Sequence, residues 1–122
     1  MILDKHIKFI GDLLLEKKSE DITVLEVEKI TSITDFIIIC TSNSSTQTKA
    51  IVDHIRSRLK ELGSIPLNIE GYSNLSWVLM DYGNIIIHVF LPEFRNFYNL
   101  ERLWGDAKSH KIDDIQKVIN EK

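Results

Sequence analysis

Two short aliphatic runs constrain this chain more than any other feature: Phe36 to Cys40 within "DFIIICTS", and Ile85 to Ile87 leading into His88, Val89 and Phe90. Neither run shows the polar side of a surface helix or the alternation of a strand wetted on one face. Both read as strands covered on both faces, and such strands lie inside a sheet with other layers packed against it. The 122 residues, 43% of them apolar, suit one domain with one core.

The remaining elements follow from periodicity and punctuation. A first helix is expected from Asp4 as N-cap to about Lys18, with Ile7, Ile10 and Leu14 on one face. Ile22–Val27 reads as a strand, followed by the richer one over Asp35–Ser42. "SSTQTKAIVDHIRSRLKELG" is a helix: Ser44 and Gln47 form a capping box, Val52, Ile55, Leu59 and Leu62 make the apolar stripe, and Gly63 ends it. Leu67–Glu70 is a short strand before a turn at Gly71. Trp77–Asp81 and Ile85–Phe90 then pair as a hairpin about Gly83. Pro92 opens another helix, and Ile112, Ile115 and Ile119 suggest a loosely packed C-terminal helix over residues 108–122. The order predicts a single α/β domain over 1–122, a mixed sheet of about five strands flanked by helices.

Charge narrows the partners. Fifteen Lys and Arg against eighteen Asp and Glu leave a net charge of -3, whereas nucleic-acid binders usually carry the basic excess that releases counterions from phosphates. The dense basic groups, Lys17-Lys18 and Arg56, Arg58 and Lys60, fall near helix ends, where they complement the helix dipole. Direct sequence-specific nucleic-acid binding is therefore not expected. The charged N-terminus and the shortness of the apolar runs argue against a signal peptide and a membrane span. Cys40 is the only cysteine, which fits a reducing cytoplasm.

The motifs of catalysis are missing. The five glycines are scattered, without phosphate-loop spacing, and the four histidines lie far apart with no cysteine pair to complete a zinc site. No metal or other cofactor is expected. An enzyme alternative remains in Asp35 and Asp81, placed at opposite ends of neighbouring strands, holding a metal ion with His88 nearby, although no D-x-D pair accompanies them. A Cys40 and His88 nucleophile pair is disfavoured because a thiol among Ile37, Ile38 and Ile39 would be kept protonated.

Other residues suit recognition. Alternation puts Ile86, His88 and Phe90 on one sheet face and Ile85, Ile87 and Val89 on the core side, with Trp77 or Leu79 alongside His88. After Pro92, Phe94, Phe97, Leu100 and Trp104 keep helical spacing, which makes Phe97 and Leu100 core residues. Arg95, Tyr98 and Glu101 fall on other faces, as either a solvated ion pair or a recognition trio of guanidinium, aromatic ring and carboxylate. Trp104 either closes the core or stands half exposed.

"TSNSSTQTKAI", "EGYSNLSWVLMDYGNIIIHVF" and "EFRNFYNLERLWGDA" together resemble the ribosomal silencing factor, or Iojap-like, family over nearly the whole chain. The departures, Glu26 for aspartate, Ser42 for glycine and Asn84 for aspartate, lie at strand ends and turns. The resemblance implies a nucleotidyltransferase-like α/β fold without the catalytic carboxylates, and a non-enzymatic translation repressor. Its implied partner is the large ribosomal subunit, bound through that subunit's ribosomal protein fourteen so that the small subunit cannot join when nutrients are scarce. Self-association into a homodimer is implied as well. On this basis Trp77, His88, Phe90, Arg95, Tyr98, Glu101 and Trp104 are expected to form the partner-binding surface, with Glu70 and Asp81 at its acidic margin. A homodimeric interaction module whose interface is this same surface is a further alternative.

Overall fold

A computed structural model of the protein describes residues 5–112. The elements in order are α1 (Lys5–Glu16), β1 (Glu20–Glu26), β2 (Phe36–Thr41), α2 (Ser45–Glu61), β3 (Asn68–Glu70), β4 (Trp77–Asp81), β5 (Ile85–Phe90), α3 (Pro92–Tyr98), α4 (Leu100–Leu103) and β6 (Lys108–Lys111). They build one mixed sheet in the order β3-β4-β5-β2-β1-β6. The two aliphatic runs, β2 and β5, pair in parallel at its centre, and every other pairing is antiparallel.

Each face of the sheet has its own core. On one, Ile38, Cys40, Ile85, Ile87, Val89, Val78 and Met80 meet α1 and α2 through Ile7, Ile10, Leu14, Ile51, Val52 and Ile55. On the other, Leu25, Val27, Ile37, Ile39 and Phe90 are capped by Phe94, Leu100 and Trp104 from the α3–α4 region. The α2 start agrees with its sequence signal. Ser44 Oγ accepts from the Gln47 amide at 3.1 Å, while Gln47 Oε1 accepts from the Asn43 amide rather than that of Ser44. The glycine departure at position 42 is accommodated locally: the buried Ser42 hydroxyl pairs with Thr48 Oγ1 and lies 3.3 Å from the Ser44 carbonyl oxygen.

Three expectations need correction. The sheet has a sixth strand, and it is formed by Lys108–Lys111, at the start of the region expected as a C-terminal helix; residues 113–122 lie outside the described residues. The free edge of β1 explains the change, because it offers ladder bonds to the backbone of Lys108–Lys111. Side chains fasten it: His110 Nε2 lies 2.5 Å from Glu26 Oε2, and Lys111 Nζ donates to Thr23 Oγ1 at 3.0 Å. The helix after Pro92 is interrupted at Asn99, whose left-handed backbone (φ 44°) ends α3 and, through its side chain, caps α4. Asp35 and Asp81 do not flank neighbouring strands, for β5 runs between β2 and β4.

Candidate docking site

Antiparallel register aligns Trp77 with Phe90 and Leu79 with His88 across β4 and β5, and carries the same row on to Glu70 of β3. These side chains share the face away from α1 and α2. Trp77 stacks on Phe90 with ring centroids 4.9 Å apart, and its indole Nε1 donates to His88 Nδ1 at 2.9 Å. From α3, Tyr98 closes on Trp77 at 4.7 Å and is itself braced by Phe94 at 6.5 Å and by the edge-on Phe97 at 5.0 Å. The rings grade from wholly buried Phe90, through half-buried Trp77, to Phe97, which is 79% exposed. A shallow depression of about 260 Å³ runs between Glu93, Phe94, Phe97 and Tyr98. Stacked and tilted rings of this kind lose little side-chain freedom when a partner covers them.

The expected recognition trio divides. Arg95 is only 9% exposed and points into the protein. Its Nη1 donates to the Asp21 carbonyl oxygen and to Thr41 Oγ1, its Nη2 to Thr23 Oγ1 and Glu101 Oε2, and its Nε to Glu101 Oε2. All five guanidinium hydrogens are thereby taken. Arg95 and Glu101 form an internal clasp fixing α3 and α4 to β1 and β2, and Tyr98 alone of the three stands at the surface. Phe97 reverses its expectation as well: it lies two residues, about 200° of helix, from buried Arg95, and so turns outward instead of into the core.

The other expected residues fall in three places. Phe90 is core beneath the platform, Trp104 is half-buried against the second core cluster, and Leu103 beside it is 71% exposed. Glu70 is exposed on the edge strand and accepts from Asn68 Nδ2 at 3.0 Å. Asp81 holds the hairpin turn, accepting from the Gly83 amide at 2.8 Å. Phe97 and Leu103 are the candidates that sequence reasoning missed; for Leu103 the signal is Asn99, one of the few residue types that tolerate a left-handed backbone, and for Phe97 it is its position across α3 from Arg95.

The enzyme alternative finds no assembled site among the described residues. Asp81 and His88 already have structural partners, and no three His, Cys, Asp or Glu side chains group as metal ligands there. Cys40 faces α1 and α2 while His88 faces the opposite side of the sheet, so they cannot pair. Burial also pushes the Cys40 thiol up to about 12. The same physics acts oppositely on His88, whose pKa burial lowers from 6.5 to about 4, leaving the ring neutral at pH 7.

The fold and this surface define an α/β domain carrying an ordered aromatic platform at one end of one sheet face, and no described helix is long and apolar enough to cross a membrane. The family model described as ribosomal silencing factor during starvation matches residues 3–122, and the chain belongs to that family. It is 40% identical over 98 residues to the ribosomal silencing factor RsfS of Bacillus subtilis, spanning 80% of this chain and 83% of that one. It is 34% identical over 101 residues to the mouse protein named mitochondrial assembly of ribosomal large subunit protein 1, covering 80% of this chain and 44% of the relative. A crystal structure of a Chromobacterium violaceum protein superposes with a TM-score of 0.78 at 33% identity, covering 84% of this chain and 88% of that one.

Proposed function

We propose that this protein is a non-enzymatic translation repressor that docks on the large ribosomal subunit through ribosomal protein fourteen, and by its bulk keeps the small subunit from joining when nutrients are limiting. The observation that carries the reading is the graded cluster of Phe90, Trp77, Tyr98 and exposed Phe97, a rigid aromatic anchor of the kind that dominates protein interfaces. The name of the mouse relative supports the large subunit as the target. Charge supports a protein rather than bare RNA: the net charge is -3, with Glu93 exposed beside the aromatic rings and Glu70 exposed on the edge strand of the same face, and ribosomal proteins are generally basic.

The same patch suits a second copy of the chain, because Phe97 and Leu103 are apolar and well exposed. Self-association and subunit docking then compete for one surface. Co-sedimentation with separated ribosomal subunits tests the proposal: the protein pellets with large subunits, and both Tyr98→Ala and Phe97→Ser weaken that association by about tenfold or more, as truncation of an interface anchor does. Equal pelleting of wild type and both variants would remove the platform from the account. Size-exclusion chromatography of the same variants reports the competing dimer, which they should weaken in parallel.

A further inference from the structure

We propose that His88 is a positioning residue for Trp77, and that their hydrogen bond sets the chemistry the platform accepts: an apolar side chain against the exposed carbon of the indole, not a hydrogen-bond acceptor. The inference rests on the docking reading and adds to it the kind of group that the partner must offer.

An indole has one polar atom, a single N–H donor. In Trp77 that donor is taken internally by His88 Nδ1 at 2.9 Å, so only carbon atoms of the ring remain for a partner. Stacking alone does not choose this orientation. Phe90 at 4.9 Å and Tyr98 at 4.7 Å make ring contacts, whereas His88 supplies the acceptor that fixes the side to which the N–H points, and a flip of the indole would turn that N–H away from it. The flip would strand His88 Nδ1 without a donor in a residue that is 6% exposed, and a buried acceptor left unpaired is costly. His88 is in turn held parallel to Phe90, at 6.0 Å and 12°. Accepting on Nδ1 requires the ring hydrogen on Nε2, and burial keeps the second proton off at neutral pH.

Nitrogen NMR on the full chain tests the inference before any ribosome is added. His88 should show an unprotonated, hydrogen-bonded Nδ1 with its proton on Nε2, and the Trp77 indole hydrogen should exchange slowly, its peak told from that of Trp104 by Trp104→Phe. A proton on Nδ1 overturns the proposal outright, whether or not any variant folds. In His88→Leu the Trp77 indole peak should move and exchange faster, and large-subunit affinity should fall about tenfold. His88→Asn, whose Oδ1 replaces the Nδ1 acceptor, should restore slow exchange and bring affinity to within about threefold of wild type. An unmoved indole peak and wild-type affinity in His88→Leu would overturn it. Should wild type and Trp77→Ala pellet alike, the docking reading fails, while indole exchange with and without His88 decides the positioning role separately.

Discussion

Arg95 illustrates how one residue's role is decided by groups remote in sequence. Its partners Thr23 and Thr41 lie 72 and 54 positions away, and only the pairing of β1 with β2 brings them under α3. The residue types of a recognition trio were legible, but the face they occupy was not. Arg95→Met should destabilise the fold by about 3 kcal/mol in urea titrations, since it removes the donor to the Glu101 carboxylate, the Thr41 hydroxyl and the Asp21 carbonyl oxygen and leaves Thr23 with Lys111 alone. A loss under about 0.5 kcal/mol, the size expected of a surface pair, would contradict the internal clasp. His88 yields a pH prediction. Its pKa is about 4 in the fold, against an ordinary 6.5. The unfolded chain therefore takes up a proton that the folded chain refuses, and stability falls as pH drops from 6.5 to about 4, by up to about 3 kcal/mol. Comparing wild type with His88→Asn across that window isolates the contribution: the variant should lose less stability on acidification. Identical slopes would mean that burial does not hold the imidazole neutral.

Among elements, the legible ones carry a strong internal signal. The β4–β5 hairpin matches its predicted bounds, and α1 and α2 match to within a few residues, because apolar periodicity, joined in α2 by the Ser44 cap, specifies them locally; the expected cap of α1, Asp4, lies outside the described residues. Strand β6 has no such signal, and the break between α3 and α4 has only the single residue Asn99. Lys108–Lys111 becomes a strand because β1 offers an open edge, and Asn99 ends a helix that apolar spacing alone would continue. Gly71 shows how closely elements are fitted beside the platform. Its backbone has φ +86°, and an added Cβ would sit 2.0 Å from the Trp77 carbonyl oxygen, an impossible approach to backbone. Gly71→Ala should cost about 3 kcal/mol by thermal or urea unfolding and should disturb Trp77 fluorescence, through both strain and the clash. Wild-type stability and fluorescence in that variant would show that the β3–β4 connection does not hold the start of β4.

At the scale of the molecule, the two faces of one sheet do different work. The α1–α2 face holds the larger buried cluster, while the opposite face is capped only in part by α3 and α4 and leaves the aromatic rings at its margin. The two-sided covering of β2 and β5 was legible from their aliphatic runs. The extent of the second cover was not, since it depends on where α3 stops. On the proposed function the domain acts by occupying space, so the direct test is subunit joining, followed on sucrose gradients after the protein is added to large subunits ahead of small ones. Wild type should lower the joined fraction in proportion to its occupancy of large subunits, and Phe97→Ser, whose exposed ring contributes little to the core, should restore joining while leaving the fold intact. Unimpeded joining on large subunits that carry the wild-type protein would contradict the account.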